Sequence, residues 1–449
     1  MLRAKTLLLV PVLALAVTAC GGGAVEGSQS QGGGIAPAVS LAATPLSVTS
    51  GGSSTLTWSS TNATSCTASG AWSGAKATSG SQSTGPLTAS SSFTLTCTGT
   101  TGAQTNASKS AMVFVLGTQS FAQLAASLQP GQWAALATAN INAALLDPGG
   151  ASGYITGYAE SLKWDPLTRQ LFFLGMDHHP DTGQRFVSYS DSTNTWQILP
   201  QTSWMATGGV HHGYDHQALD VANRYLYVRG HYMDRSVYRY QIDTKTWERV
   251  QDNNVLEYSQ CCGGWDYFPE LNGVVWFQGS DTQSGSTFYG GLFLRDDLTG
   301  SWRRLGQSAA YLAGTYHNFA EYNPKQKVVI FGGGDGATRT LYKLDSSGTI
   351  TSLKPAPVDL GITKSIVTTD PVTGKYLVLS NTGSSFYSYE VASDTWTLLP
   401  AAPILSSVQS SSGPTFGTVA TPVSTYGVTL FVQCNPGNCA VYLYKHSGS

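Results

Sequence analysis

Apolar residues fall at every second position in three short runs, "STLTWS", "SFTLTCT" and "SAMVFV". In each, Leu, Trp, Phe or Val alternates with a small polar residue, the period of a strand with one buried face. The pattern predicts short strands through residues 38–116, where Lys76 and Lys109 are the only charges. Phe121, Leu124 and Leu128 then fall at helical spacing and predict a short connecting helix within residues 118–131.

From Gln132 onward the pattern repeats. "YSDSTNTWQIL", "YQIDTKTWERV" and "YEVASDTWTLL" place a tyrosine seven residues before a tryptophan: Tyr189 and Trp196, Tyr240 and Trp247, Tyr389 and Trp396. Upstream, "WDPLTRQLFFLG", "LDVANRYLYVRG", "YNPKQKVVIFGG" and "TDPVTGKYLVLS" each read as a strand end, a polar turn and a buried strand closing at Gly or Ser, with "FPELNGVVWFQG" a looser copy. Four short strands per repeat mean propeller blades. The innermost strands are expected to start near residues 158, 214, 264, 316, 363 and 416, which makes six sets. The last set ends without its tryptophan strand, and "GQWAALATA" near Trp133 supplies one. That strand is expected to close the ring, because an open ring would leave unpaired sheet edges.

The Gly332-Gly333 pair, Tyr342 and the Tyr-to-Trp spacing resemble the kelch motif family, over residues 132–449. One repeat carries the full Gly-Gly and lacks the tryptophan, with "GTITSL" in its place. Likewise "SVTSGGSSTLTWSSTNATSCTASGAWSG" and "SSFTLTCTGTTG" resemble the Ig-like domains of bacterial surface proteins, which imply a spacer. The expected fold is all-β: an Ig-like β-sandwich over residues 38–117, then a six-bladed kelch-type β-propeller over 118–449, closed by an N-terminal strand.

The start of the chain adds an address. Arg3 and Lys5 precede an apolar run, Leu7 to Ala19, that is shorter than the roughly 20 residues a membrane span needs. Val17-Thr18-Ala19-Cys20 resembles the lipobox of bacterial lipoproteins, which implies a signal peptide over 1–19 and a lipid on Cys20. Gly21 follows rather than the Asp of inner-membrane retention, so the expected location is the cell envelope, lipid-anchored at the outer membrane or cell surface. Residues 20–37, rich in Gly and Ser, read as a flexible tether. Net charge is −2 and only 11% of residues are charged, with no basic run, which argues against a nucleic-acid partner. Fifty glycines, 11 Trp and 22 Tyr suit many turns between strands.

Seven cysteines leave six once Cys20 is set aside, and export makes disulfides the default. Cys66 and Cys97 lie in or beside two predicted strands. A bridge closing a loop of about 30 residues contributes about 3–4 kcal/mol, and Trp58 is placed to pack on it. Cys434 and Cys439 flank the turn "CNPGNC" and read as a local staple. Cys261 and Cys262 stand in blade 3, opposite blade 6. A bridge across the ring would exceed the ~7 Å that disulfide Cα atoms span. They are bridged to each other, left as two thiols, or bound to a soft metal; the first alternative makes a strained, flat apolar patch beside Trp265.

In a propeller, the connections between blades and the turns between second and third strands share one face. Seven of the eight histidines map there. The candidate ligand-binding set on that rim is Glu160, His211, His212, Tyr214, Asp215, His231, Arg235, Cys261, Cys262, Trp265, Asp266, Tyr316 and His317. Tyr158, Lys364, Asp335 and Arg339 fall on the same face. Aromatics beside Asp, His and Arg suit a glycan or another extracellular polymer, since ring faces cover the C–H side of a sugar and polar groups meet its hydroxyls. The same rim also suits a carbohydrate-active enzyme of hydrolase, lyase or epimerase type, with Glu160, Asp215 or Asp266 as acid and base and a histidine moving protons. Galactose oxidase and sugar epimerases share the kelch ring, and "YSDSTNTW" lacks the Ser and Gly of a sialidase Asp-box. A metal-dependent enzyme would use His211, His212, His216, His231 or His317, but no spacing matches a known ligand motif. No cofactor and no metal are implied.

Overall fold

The computed structural model describes residues 36–99, 106–150, 152–176, 184–206, 213–229, 236–254, 262–279, 290–305, 314–336, 339–382, 385–406, 408–410 and 413–446. The fold is all-β, with several four-stranded sheets.

The N-terminal part holds two sheets. One joins Ala38–Thr44, Thr55–Thr61 and Ser79–Ser83; the other orders Ser47–Thr49, Asn106–Leu116, Ser91–Gly99, Ala63–Gly70 and Gly74–Lys76. The alternation read from sequence is realised, with Leu56 and Trp58 of the first sheet meeting Phe93, Leu95 and Val113 of the second in one core. Cys66 and Cys97 face each other directly across their strand pair and are bonded. Trp58 and Trp72 meet edge to face at 5.4 Å in the same core.

Helix Phe121–Ser127 follows. Ser120 caps it, and Gln123 returns the bond to the Ser120 backbone. Phe121 is buried against Trp164, Tyr189 and Tyr426, which fixes the helix to the sheets beyond.

Five four-stranded sheets come next, each built of consecutive antiparallel strands. Their innermost strands are Lys163–Asp165, Gln217–Asp220, Gly264–Phe268, Phe319–Asn323 and Ser365–Thr369. A sixth sheet, with inner strand Gly413–Val423, takes Trp133–Leu136 as its outermost member, paired antiparallel with Asn438–Tyr444. The innermost strands touch in chain order, and the sixth touches the first. This arrangement is consistent with a propeller-like fold.

The repeated sequence signals have direct structural causes. The tyrosine–tryptophan spacing is a cross-strand pair: Tyr189 opposes Trp196, Tyr240 opposes Trp247, and Tyr389 opposes Trp396 with ring centroids 4.4 Å apart. In the fourth sheet Tyr342 opposes Ser352, and in the sixth Tyr444 opposes Trp133, centroids 4.7 Å apart. The N-terminal strand therefore supplies the tryptophan that the last repeat lacks. In the polar turns, Asp165, Asp220, Asn323 and Asp370 accept backbone N–H groups two or three residues on. Arg224 links two of these turns, donating to Asp165 Oδ1 and Oδ2 at 2.6 and 2.7 Å.

The second strands, such as "QLFFLG" and "GVVWFQ", are buried along almost their whole length because each sheet is covered on both faces. The core is a series of seams, each drawing on two neighbouring sheets. Trp265, Trp276 and Trp302 of the third sheet pack with Tyr227 and Val237 of the second. Phe114, from the N-terminal sheets, enters the seam between fifth and sixth and lies 5.4 Å from Tyr442.

Three inner strands begin later than the sequence implied, at Lys163, Gln217 and Phe319 rather than near 158, 214 and 316. The intervening residues cross between sheets as isolated parallel bridges, Ala159 with Tyr214, Ser161 with Ala420, and Asp215 with Gly264. Left-handed residues at Tyr158, Tyr214 and His317 break the strand geometry there.

Candidate functional site

The lead-in segments of the inner strands converge at one end of the ring. Tyr158 (φ 53°), Tyr214 (φ 38°), His317 (φ 61°) and Thr363 (φ 77°) all occupy the left-handed region. For side chains this bulky the conformation costs on the order of 1–3 kcal/mol each and persists only where surroundings enforce it. Here the enforcement is backbone pairing between sheets. Glu160 N–H donates to Tyr214 O at 3.2 Å, Asn318 N–H to Cys262 O at 3.1 Å, and Ile362 N–H to His317 O at 2.9 Å.

These constraints bring rings from three sheets together. Tyr158 stacks with His317 at 6.0 Å between centroids, Tyr214 lies 6.3 Å from His317 and 5.2 Å from His216, and Tyr316 lies 6.5 Å from His317. His317 Nδ1 is 3.0 Å from Asp335 Oδ2. That bond, outweighing partial burial, holds Asp335 below the ordinary carboxylate range, with the charges of His317 and Lys364 adding to it. Burial, with Tyr158 adding, pushes the Tyr214 phenol upward.

The arm carrying Asp335 is "FGGGDG". Its glycines allow backbone to lie on backbone. Gly334 has φ 97°, and a Cβ there would sit 2.5 Å from Tyr316 O. Gly361 has φ 116°, and a Cβ there would sit 2.4 Å from His317 O. Asp335 N–H donates to Tyr316 O at 2.9 Å, and Thr315 N–H to Asp335 O at 3.0 Å. Asn318 Nδ2 ties Gly314 O and Gly333 O, each at 2.9 Å.

Along the axis lies a second cluster, made of Glu160, Lys163, Asp215, Asp266 and Glu321, all buried. Its carboxylates satisfy backbone N–H groups of other sheets. Glu160 Oε1 accepts from Val367 N–H at 2.8 Å, Asp215 Oδ2 from Ala320 N–H at 2.9 Å, and Asp266 Oδ2 from Tyr322 N–H at 2.8 Å. Asp215 Oδ1 also accepts from Ser161 Oγ at 3.2 Å. Lys163 Nζ donates to Asp266 Oδ1 at 3.3 Å. Burial, then Asp215, drives Glu160 well above the ordinary carboxylate range. Burial likewise raises Glu321, although Lys163 opposes it. Asp215 is held up to about 7 by burial, against Lys163 and the Ala320 N–H. For Lys163 burial acts downward, but Asp266, Glu321 and Asp215 outweigh it and hold the ammonium above its usual value.

The residues singled out from sequence thus separate into groups. Tyr214, Tyr316 and His317 come together at the opening, with Tyr158 and Asp335. Glu160, Asp215 and Asp266 are not rim groups: they are buried at the axis and bonded to backbone. Trp265 is fully buried in the seam between the second and third sheets, so it offers no face to a ligand. Cys262 is buried and disulfide-bonded. Cys66 pairs with Cys97 and Cys434 with Cys439, which puts the partner of Cys262 outside the described residues. His211, His212, His231, Arg235, Cys261 and the lipidation candidate Cys20 also lie outside them. Lys163 and Glu321 were not anticipated, yet a signal exists. Lys163, Asp266 and Glu321 each stand three residues before the proline of a turn, Pro166, Pro269 and Pro324. Among the described residues no group of three or more His, Cys, Asp or Glu side chains is disposed to hold a metal ion.

No known family profile matches the chain, and no curated protein matches it. Among solved structures 532 chains match. One is the crystal structure of a nidogen/laminin complex, at TM-score 0.37 and 12% identity, covering 55% of this chain and 79% of that one. A likeness this low bears on neither fold nor function; the propeller-like class rests on the sheets and their cyclic contacts.

Proposed function

We propose that this chain is a lipid-anchored bacterial envelope protein that binds a glycan or related extracellular polymer at the open end of its ring. In this reading the six sheets are blades of a kelch-type propeller closed by the strand at Trp133, residues 38–117 are an Ig-like spacer, Cys20 carries the lipid, and Cys262 is bonded to Cys261. The observation that carries the binding site is the convergence of Tyr158, Tyr214, Tyr316 and His317 from three sheets, with three of the four in a strained backbone conformation. The half-buried rings of Tyr214, Tyr316 and His317 supply flat apolar faces, with the buried Tyr158 stacked on His317, and Asp335 and His317 supply hydrogen bonds for hydroxyls. Rigid placement lowers the ordering cost of binding.

The test is a glycan array followed by calorimetry on the best polymer. Tyr214→Asn keeps a residue that tolerates left-handed backbone while removing the ring. It is expected to weaken binding about tenfold, and Tyr316→Ala by a similar factor. Unchanged affinity in both variants would place the ligand elsewhere.

A further inference from the structure

We propose that the open end also performs proton-transfer chemistry on the polymer it holds: His317, oriented by Asp335, is the general base and Tyr214 the general acid in eliminative cleavage of a uronate-containing glycan. The proposal rests on the glycan reading of the same site.

His317 is bound to Asp335 through Nδ1 alone, and no other described residue engages its Nε2. A carboxylate accepting from Nδ1–H fixes the tautomer in which Nε2 carries the lone pair, the form a base requires. The pair is rigid, because Asp335 and His317 sit on arms cross-linked backbone to backbone, with Gly334 and Gly361 at points that admit no side chain. Such preorganisation is what positioned proton transfer requires. Tyr214 supplies the complementary group. Its phenol is kept protonated by burial and lies beside the imidazole.

The choice of reaction follows from the groups that the described residues bring together, an imidazole paired with a carboxylate beside a phenol. Hydrolysis of a glycosidic bond uses two reachable carboxyl groups. Among the described residues, Glu160, Asp215 and Asp266 are buried and accept backbone N–H groups, and Asp335 is committed to His317. An imidazole base paired with a phenol acid suits removal of a carbon-bound proton instead. Among sugars only a proton next to a carboxylate is acidic enough, which selects uronates. Lys364, whose charge reaches Asp335, places a cation near that carboxylate. In the step, Nε2 takes the proton from the carbon adjacent to the carboxylate. The electron pair forms a C=C bond to the neighbouring carbon, the C–O bond there breaks, and the Tyr214 proton passes to the departing oxygen. The imidazolium proton then returns to the phenolate through water, and no oxidant or reductant enters.

The experiment incubates the full-length protein with polygalacturonate and, separately, alginate. Ultraviolet absorbance follows the conjugated double bond, and affinity electrophoresis in the same polymers follows binding. Absorbance is expected to grow with at least one polymer. His317→Asn, which tolerates the left-handed backbone, and Tyr214→Phe are each expected to slow turnover of bound polymer by about 100-fold or more, well beyond the accompanying loss of binding. Asp335→Asn, at a positioning residue, is expected to lower kcat and move the acid limb of the pH profile with KM held. Binding without any rise in absorbance overturns the proposal and leaves the glycan reading standing, as does release of acetate from acetylated polymer in place of elimination. Absorbance that survives in His317→Asn overturns the assignment of the base. Absence of both binding and absorbance with these polymers overturns the proposal, and the glycan array then decides the binding reading separately.

Discussion

Replacing Lys163 by Met tests the electrostatics of the axis. The Lys163–Asp266 pair is 3.3 Å long, with both side chains about 10% exposed. Glu160, Asp215 and Glu321 share the same buried space. Methionine keeps most of the volume, so packing accounts for about 1 kcal/mol of the loss. Removing one partner of a buried pair costs about 3–5 kcal/mol, because the remaining charge has nothing to offset its desolvation. The size of the loss should depend on pH. Asp215 is held up to about 7, above the ordinary carboxylate value of about 4. A raised carboxyl pKa contributes stability that is fully present below the unfolded value and is lost as pH rises through the folded one. Glu160 and Glu321 are raised in the same sense. At pH 5 these three groups are largely neutral and Lys163 faces chiefly its ion-pair partner Asp266; at pH 8 it also faces the ionised Asp215. Lys163 itself stays charged throughout, since its neighbours hold its pKa up. The expected loss is therefore toward the lower end of about 3–5 kcal/mol at pH 5, where the Asp266 pair alone is broken, and toward its upper end at pH 8. Urea unfolding followed by tryptophan fluorescence, disulfides intact, measures both. A loss equal at the two pH values, or larger at pH 5, would refute the charge argument in favour of packing alone.

Trp133→Ala removes the ring that faces Tyr444 and should cost about 3–5 kcal/mol, read as a lower urea midpoint. A loss under 1 kcal/mol would mean that the closing strand contributes little. Gly334→Ala should lower the unfolding midpoint and weaken polymer binding together, since its Cβ would press on Asn318 and the Tyr316 backbone at a left-handed position; a melting curve beside calorimetry reads both, and an unchanged midpoint would refute the crowding. Of the described disulfides, Cys66–Cys97 spans 31 residues and Cys434–Cys439 spans 5. Loop-closure entropy gives about 3–4 and about 2 kcal/mol for losing them, so serine pairs at each should rank in that order in urea.

The repeats were legible because their marks are local. A tyrosine seven residues before a tryptophan encodes one cross-strand pair around one turn, so it survives in the sequence wherever the hairpin does. The closing strand was legible for the same reason: the sixth repeat ends without a tryptophan strand, and "GQWAALATA" looks like "DTWTLLPAAP", which closes an earlier repeat. The site was half legible. Tyr214, Tyr316 and His317 could be placed at one end, but Glu160 and Asp215 were put beside them at the rim. Alternation along a strand does not reveal that Tyr158 and Tyr214 adopt left-handed backbone, which turns the next acids inward toward the axis. Trp265 misled in another way. A tryptophan near a loop and one in a seam look alike until the second and third sheets are packed. Lys163 and Glu321 escaped notice because buried charges have no period, only a fixed distance from the following proline.

The strand that fastens the ring is synthesised before every strand it must wait for. Trp133–Leu136 leaves the ribosome early, and its partner Asn438–Tyr444 arrives near the end; Asn142 and Cys439, which share a hydrogen bond beside that junction, are 297 residues apart. Loop-closure entropy grows only logarithmically with length, so the long wait costs little in final stability. It does impose an order of events. During synthesis each sheet can form as it emerges, but the circle stays a crescent with two bare β-edges until the last strand is delivered. A premature stop or a protease cut ahead of Asn438 would leave a nearly full-length chain that cannot close, exposed to pairing with its neighbours.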